Sequence, residues 1–446
     1  MKTLNMDVTN IKNIHRGLFW FVSLLAFVVP ATSVNYPDAF YHAAIGLVLL
    51  GVFVVNVRTD SQPLSKLEKL MIFTWLFYPL FTALDFWLRT GWIWSQFQEP
   101  SRFILVLPIF LMVRRFGISQ NALKWGVFVG AVAAGFWGLY QKQELGTDFR
   151  AHGGTSALKA AYGNISLLLG VMTVALFQPN WSKDWRWGFV VLLSLSLGVF
   201  ASLASGTKGG WISLPVLCWV LVSLARHPTY TKRFTILAGV AIGAVLIWYV
   251  SPFIQARVGN IPLAIATYFE TGQVTDSASI RIALWQASTF IFINNPLFGV
   301  GPGNFDAAKL PYIEAGLLPI IVNDFNSAHS QFFEVLYESG IFGPFMVFSI
   351  YGMFVLHCRQ YLLQNKALAT AGILLAVAFI DFGLVEMIWD INNAGVFFTV
   401  MMVLIAGQLS YESKVAIPMT PDQLKIRELE KQIARIEMEK EVLKKS

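Results

Sequence analysis

His329 stands at the start of a long apolar segment, in the stretch NSAHSQFFEVLYESGIFG that follows a long loop. An ionisable group at such a boundary is a functional candidate, because a bilayer penalises polar groups that lack a task or a partner. Imidazole changes charge near neutral pH and can accept a proton. The sequence therefore predicts a general base at His329, while a histidine that only caps or hydrogen-bonds a helix start stays an alternative.

Two cations precede this histidine in regions that suit an anionic ligand. Arg281 lies in a segment with helical periodicity, and a guanidinium can grip a diphosphate through two parallel hydrogen bonds. Lys208 lies in SGTKGGW, where glycines let backbone N–H groups approach a phosphate. The alternatives are a solvated helix face for Arg281 and a lysine that reaches the membrane interface for Lys208.

The segment GVGPGNF is too rich in glycine and proline to be anything but a turn, and it contains Gly301, Gly303 and Asn304. It lacks the third glycine and the preceding strand of a dinucleotide site, so we expect it to shape a pocket. Arg102 and Arg150 are weaker candidates for substrate binding. The zinc-protease spacing HExxH is absent around His329, and we expect neither a metal nor a cofactor.

Composition places the chain in a membrane. Of its 446 residues, 56% are hydrophobic and 13% are charged, and the mean hydropathy is +0.58, which is far from the range of soluble domains. The net charge of +7 does not indicate nucleic acid, because the basic residues form short clusters between apolar runs. We predict an all-α polytopic membrane protein with membrane lipids as its surroundings.

A spanning helix needs ~20 apolar residues, which predicts about twelve spans. When the N terminus is placed inside, every basic cluster between spans falls on the inner face, as the positive-inside rule requires. Both termini are then cytoplasmic. The predicted spans are 17–34, 39–56, 70–88, 103–114, 122–140, 163–178, 187–203, 209–225, 234–251, 331–356, 367–388 and 394–410.

Residues 1–410 are predicted to form the membrane domain, with an external loop over 252–330 between spans nine and ten. Within the loop, Asp276 or Ser277 precedes an apolar stripe and Asn295-Pro296 follows it, which predicts a capped amphipathic helix at the outer membrane boundary. Asp381, Glu386 and Asp390, near the outer end of span eleven, are predicted to face the protein interior. Residues 411–446 are predicted to form a charged cytoplasmic helix, either solvated or in a short coiled coil that would join copies of the chain.

These motifs resemble the O-antigen ligase and polymerase superfamily of bacterial envelope enzymes. The ligase pattern of His, then Asn, Ser or Gln, nine residues, Gly, two residues and Gly is met by His329, Ser330, Gly340 and Gly343. Further landmarks follow in the family's order over about residues 95–345. They are EPSR, RAHGG with YGN, SGTKGGW, SIRIALW and PLFGVGPGNF.

The resemblance implies a C-class glycosyltransferase that is metal-independent and inverting and has its active site in the periplasm. It implies a ligase of the bacterial inner membrane that transfers a glycan from undecaprenyl diphosphate to lipid A-core. His329 would deprotonate the acceptor hydroxyl, and Arg281 and Lys208 would bind the diphosphate. The family usually has arginine at the position of Lys208, so the planar fork is lost there.

Three other functions stay open. An O-antigen polymerase or a protein O-oligosaccharyltransferase would use the same donor and much the same base, and the sequence does not reveal the acceptor. A transporter or flippase would suit twelve spans. Internal repeats with interrupted helices are typical of transporters, and the sequence shows none.

Overall fold

The computed structural model describes 8–55, 63–89, 94–154, 159–178, 184–224, 238–239, 241–243, 245–246 and 248–415. All regular elements of these residues are helical, which confirms the predicted class. The helices are α1 (Val8–Thr32), α2 (Pro37–Val55), α3 (Lys66–Arg89), α4 (Trp94–Leu105), α5 (Leu107–Phe116), α6 (Gln120–Leu145), α7 (Lys159–Phe177), α8 (Trp185–Ser205), α9 (Lys208–Leu224), α10 (Pro252–Val258), α11 (Ile261–Thr271), α12 (Ser277–Asn294), α13 (Phe305–Glu314), α14 (Gln331–Ser339), α15 (Phe342–Gln360), α16 (Lys366–Val385) and α17 (Asn392–Val415), with a 3-10 helix over Ile320–Asp324.

The predicted number of twelve spans is not confirmed. Eight helices of the described residues are long and apolar enough to cross a membrane, and the bent pair Ala241–Val250 and Pro252–Thr271 would make nine. Two shorter apolar stretches, Arg16–Thr32 within α1 and Lys208–Leu224 in α9, coincide with the predicted spans 17–34 and 209–225. The predicted span 234–251 and the C-terminal helix fall wholly or partly outside the described residues.

Three helices form the centre of the bundle. In α7 and α17, 89% of the apolar 18-residue stretch that could cross a membrane is buried inside the protein. The share is 72% in α16 and only 33% in α2. Small residues let the central helices approach closely: a Cβ on Gly198 of α8 would lie 2.5 Å from the carbonyl oxygen of Ser166 on α7. Of these three helices, α16 ends at its C-cap residue Glu386.

The prediction of one helix over 331–356 was wrong. The segment breaks between α14 and α15 at Gly340, whose φ is +59°. The glycine-rich turn after α12 enters this break: Ile341 donates its N–H to the carbonyl of Pro296, and Val300 and Gly301 donate to those of Tyr337 and Glu338. The last carbonyls of α14, which a helix leaves without partners, are thereby satisfied by the turn.

The predicted fourth span, 103–114, is also not one helix. It is divided between α4 and α5, and the break falls at Val106, two residues before Pro108. Pro108 has no backbone N–H and therefore cannot continue the hydrogen-bond ladder from α4 into α5. Apolar composition alone does not reveal such a division.

The predicted capped helix is confirmed as α12. The Asp276 carboxylate accepts the N–H groups of Ala278 and Ser279, and Asn295 ends the helix. The apolar stripe of α12 is buried against protein, in a second core with residues of α13, the 3-10 helix and α14. This core makes the segment from α12 to α14 a packed unit that can present Arg281 on a fixed helix.

Candidate active site

His329 immediately precedes α14, and Ser330 is the N-cap of that helix. The φ of His329 is +50°, and no other non-glycine residue among the described ones has a positive φ. Such a backbone conformation is unusual for a residue with a Cβ and is often found at functional positions. The ring lies edge-on to that of Phe325, with centroids 5.7 Å apart, and 39% of the side chain is exposed. The imidazole is therefore held on one side and open to solvent on another.

Arg281 of α12 reaches the C-terminal end of α16 by hydrogen bonds. Its Nε donates to the carbonyl of Val385 at 3.0 Å, and its Nη2 donates to Oε1 of Glu386 at 2.5 Å. The third nitrogen, Nη1, makes a longer bond of 3.3 Å to the carbonyl of Ser277. The guanidinium is thus oriented by two strong contacts and keeps N–H capacity for a ligand.

Glu386 lies between His329 and Arg281. Its Oε2 lies 3.8 Å from Nδ1 of His329, while its Oε1 pairs with Arg281. The carboxylate follows α16 directly, and its own N–H caps that helix by donating to the carbonyl of Phe382. Sequence reasoning placed Glu386 in the protein interior but not among the site residues. The available signal was a carboxylate at the outer end of a span, where an ionisable group needs a partner.

Lys208 is the first residue of α9 and comes two residues after Gly206, which ends α8 with a φ of 64°. The start of α9 lies against the end of α16, because a Cβ on Gly209 would be 2.7 Å from Cγ2 of Val385. Val385 also accepts the hydrogen bond from Arg281 Nε. The structure therefore brings the SGTKGGW segment and Arg281 to the same residue.

Arg150 stabilises the turn between α8 and α9. Its Nε donates to the carbonyl of Ser205 at 2.9 Å, and the N–H of Ala151 donates to the carbonyl of Ala204. Both bonds hold the C-terminal end of α8, from which the chain turns toward Lys208. The geometry gives Arg150 a role in shaping the loop, and its contact with a substrate stays a prediction.

Arg102 holds the turn between α16 and α17. Its guanidinium donates to the carbonyl of Trp389 and to Oδ1 of Asn392 at 2.6 Å, and the residue is only 8% exposed. Glu386 begins the same turn. Arg102 therefore acts on the site through the backbone that carries Glu386, and direct substrate binding by it stays a prediction.

The GVGPGNF turn lies at the far end of α14 from His329. The N–H of Gly301 is bonded to Glu338, and a helix rises about 1.5 Å per residue, which separates this contact from Gln331 by roughly 10 Å. Gly303 has a φ of 77°, and Nδ2 of Asn304 donates to the carbonyl of Val300. These residues are not brought together with His329, and their substrate contact stays a prediction.

Ser330 is buried beside His329. Its hydroxyl donates to the carbonyl of Gly383 at 3.1 Å, and 1% of the residue is exposed. The neighbouring Gln331 donates its N–H to the carbonyl of Glu386. The start of α14 is thus joined at two points to the end of α16, which fixes His329 relative to Glu386.

A polar cavity of about 30 Å³ lies between α3, α4, α14 and the turn after α16, which is room for about one water molecule. Burial raises the pKa of the Glu99 carboxyl to about 7. Burial also raises the pKa of Glu334, on the helix that precedes the span α15, to about 8 despite hydrogen bonds from Tyr337 and Ala328. Protonation equilibria near neutral pH are therefore concentrated next to the turn that bears Glu386.

The comparison with known families adds an independent observation. Residues 193–348 match the family model described as O-antigen ligase. This segment of the chain is similar to the O-antigen ligase family. The expected resemblance to the O-antigen ligase and polymerase superfamily is confirmed, and the matched range includes Lys208, Arg281 and His329. Glu386 lies beyond the matched range, so its place beside the base comes from the tertiary structure.

The chain is also similar to a protein of Haemophilus influenzae (strain ATCC 51907 / DSM 11121 / KW20 / Rd) described as "Uncharacterized protein". The two are 24% identical over 393 residues, which cover 86% of this chain and 97% of the relative. Eight apolar helices of spanning length in the described residues indicate a multi-pass membrane protein. The match to the O-antigen ligase family model points to a glycosyltransferase-like enzyme of glycan assembly.

Proposed function

We propose that this protein is an inverting O-antigen ligase, which transfers a glycan from undecaprenyl diphosphate to a sugar hydroxyl of lipid A-core. The observation that carries the proposal is the convergence of His329 and Arg281 on the two oxygens of Glu386. A proton acceptor and a cation for a diphosphate then lie side by side, as this group transfer requires. The family domain supports the same reaction class.

In the proposed reaction, His329 removes the proton from the acceptor hydroxyl. The freed oxygen attacks the anomeric carbon on the face opposite the diphosphate, which inverts that centre. A general base typically contributes ~10²- to 10⁴-fold to a rate. Glu386, at 3.8 Å from Nδ1, stabilises the imidazolium that forms and orients the ring, because a carboxylate attracts the charged form of a neighbouring histidine.

Departure of the carrier leaves the electron pair of the broken bond on the diphosphate. Arg281 and Lys208 stabilise this growing negative charge, and fixed cations at such a place are a large source of rate enhancement. Glu386 neutralises Arg281 before the donor binds, and the nitrogen with the long 3.3 Å bond to Ser277 is the one most easily redirected to a phosphate. The proposed chemistry uses no metal.

The proposed site faces the periplasm, with both termini in the cytoplasm of a bacterial inner-membrane protein and with 252–330 as the periplasmic segment. Support comes from the basic residues at the opposite end of the bundle, which the positive-inside rule assigns to the cytoplasm. Arg114 pairs there with Glu68 at 2.6 Å, and Lys414 reaches the carbonyl of Arg114. Lys366 begins α16 at that end, and α16 then leads to Glu386.

The experiment is transfer by the purified protein. Lipid-linked glycan and lipid A-core are incubated with EDTA and the wild type, His329→Ala or Arg281→Ala, with His42→Ala and Arg186→Ala as matched controls on exposed positions. We expect metal-independent transfer by the wild type and both controls, and its loss in the two site variants.

Four outcomes would contradict the proposal. Normal transfer by His329→Ala at a normal protein level would show that His329 is not the base. Elongation of the lipid-linked glycan without transfer to lipid A-core would indicate a polymerase, and transfer only to a protein acceptor would indicate a protein O-oligosaccharyltransferase. Passage of the glycan across sealed vesicles with its linkage unchanged would indicate a transporter.

A further inference from the structure

Gln331 forms hydrogen bonds with two residues of the short turn that begins with Glu386. Its backbone N–H donates to the carbonyl of Glu386 at 3.1 Å, and its side-chain Oε1 accepts the N–H of Trp389 at 3.0 Å. The residue is 1% exposed, so it does not meet substrate. Its contacts lie entirely with the protein that surrounds the base.

The other end of the Gln331 amide is anchored on α4. Its Nε2 donates to Oε1 of Glu99 at 3.1 Å, and the same oxygen accepts the hydroxyl of Tyr78 at 2.8 Å. The N–H of Trp389 can only donate, whereas Oε1 of Glu99 accepts from two donors. A reversed amide would therefore lose both bonds, and its direction follows from its neighbours.

This set of bonds leads directly to the catalytic pair. Glu386 faces Nδ1 of His329 at 3.8 Å, and His329 is two residues before Gln331 in the chain. A shift of the turn relative to α14 would therefore change the distance between base and carboxylate. Misplacement of catalytic groups by ~1 Å can cost ~10²-fold in rate.

We propose that Gln331 is a positioning residue for the His329–Glu386 pair, and that Glu99 fixes the direction of its amide. This inference rests on the proposed function, in which His329 is the base. Gln331 holds the turn at Trp389 and at Glu386 together, and Glu99 supplies the acceptor that Trp389 cannot replace.

The chain offers a reciprocal exchange as the test. In Gln331→Glu, the new carboxylate still accepts from Trp389 but faces Glu99 with a second carboxyl group and loses the donor. In Glu99→Gln, the NH2 group of the new amide can take the place of Oε1, where it donates toward position 331 and to the hydroxyl oxygen of Tyr78. In the double variant, that N–H donates to the carboxylate at position 331, and the bonds are restored with the polarity reversed.

We expect Gln331→Glu to lower kcat by ~10-fold or more, with little change in KM for the donor, because the residue does not touch substrate. Its activity should fall further as pH rises, since a proton shared by two facing carboxyl groups is lost. Arg102, Asp390 and Tyr78 also face Glu99, and Glu334 and Glu338 line the same cavity. The wild-type profile is therefore measured in parallel as the reference for their titration.

The double variant decides the matter. Recovery of kcat above that of Gln331→Glu, with the wild-type pH profile, supports the inference. If each substitution only damaged the structure, the two defects would add and the double variant would be less active than Gln331→Glu. A double variant no better than Gln331→Glu overturns it. Gln331→Met removes both side-chain bonds without adding charge, so normal kcat in that variant overturns the inference even when Gln331→Glu does not accumulate.

Failure of this inference differs from failure of the proposed function. Activity lost in His329→Ala but unaffected by the Gln331 and Glu99 variants removes only the positioning role. Activity retained in His329→Ala would show that His329 is not the base. The proposed positioning role of Gln331 would then fail as well.

Discussion

Nδ1 of His329 lies 3.8 Å from Oε2 of Glu386, although the two residues are separated by the whole of α14, α15 and α16. The other oxygen of the carboxylate holds Arg281. One acidic side chain thus faces both the proposed base and the proposed cation, and its position decides how close they can come.

Glu386→Gln tests this shared role. The amide keeps the size of the side chain but removes the charge that stabilises an imidazolium, so we expect kcat to fall by ~10- to 100-fold. Steady-state transfer kinetics measure it. Glu314→Gln, at an exposed position at the end of α13, is the matched control and should behave as the wild type. Unchanged kcat in Glu386→Gln would deny the carboxylate a part in the reaction.

Arg281→Lys tests the need for a guanidinium. A lysine keeps the charge but cannot donate at once to Val385 and Glu386 as Nε and Nη2 do. We expect a higher KM for the lipid-linked donor and a lower kcat. Arg186→Lys is the control at a side chain that is 78% exposed. Equal kinetics for Arg281→Lys and the wild type would indicate that charge alone suffices.

Gly340→Ala tests the break between α14 and α15. The φ of +59° disfavours a side chain, and a Cβ would lie 2.4 Å from the carbonyl oxygen of Leu297. We expect a lower thermal unfolding temperature and loss of transfer, since the glycine-rich turn would be displaced. Gly352→Ala is the control, because nothing lies within 4 Å of a Cβ at that helical position. A variant at position 340 as stable as the control would contradict the described break.

Lys309→Met tests the segment that leads to His329. The fully buried ammonium donates to Asp306 at 2.6 Å and to the carbonyl of Phe325, and Phe325 packs against His329. Removing it leaves a carbonyl without a donor, which typically costs ~1–3 kcal/mol. We expect faster amide hydrogen exchange in 323–329 and reduced kcat. Asp306→Asn, which keeps the lysine and its carbonyl contact, should have the smaller effect.

Glu99 should make stability depend on pH. Burial raises the pKa of its carboxyl from the ordinary value of 4.5 to about 7, so the folded protein binds the proton more tightly than the unfolded chain. The resulting stabilisation is complete below about pH 4.5 and is lost as pH rises toward 7. Unfolding temperatures between pH 5 and 8 should therefore fall more in the wild type than in Glu99→Gln. Parallel curves for the two proteins would contradict the raised pKa.

Local patterns in the sequence were sufficient for much of the architecture. Apolar length predicted helices near most of the described spans, and Asp276 with Asn295 marked both ends of α12. Helix caps and apolar runs are encoded by residues close in the chain. The break at Val106 was missed because the surrounding residues are apolar. The break at Gly340 was missed because it depends on contacts with the glycine-rich turn, which lies about 40 residues earlier in the chain.

By itself, the sequence determined that the chain is an α-helical membrane protein, and it proposed His329, Arg281 and Lys208 as site residues. Only the tertiary structure decided that Glu386 faces His329 and that Gln331 joins its turn to Glu99. It also decided that Arg102 and Arg150 hold loops. These relations depend on contacts between helices distant in the chain, and residue spacing carries no record of which helix ends meet in space.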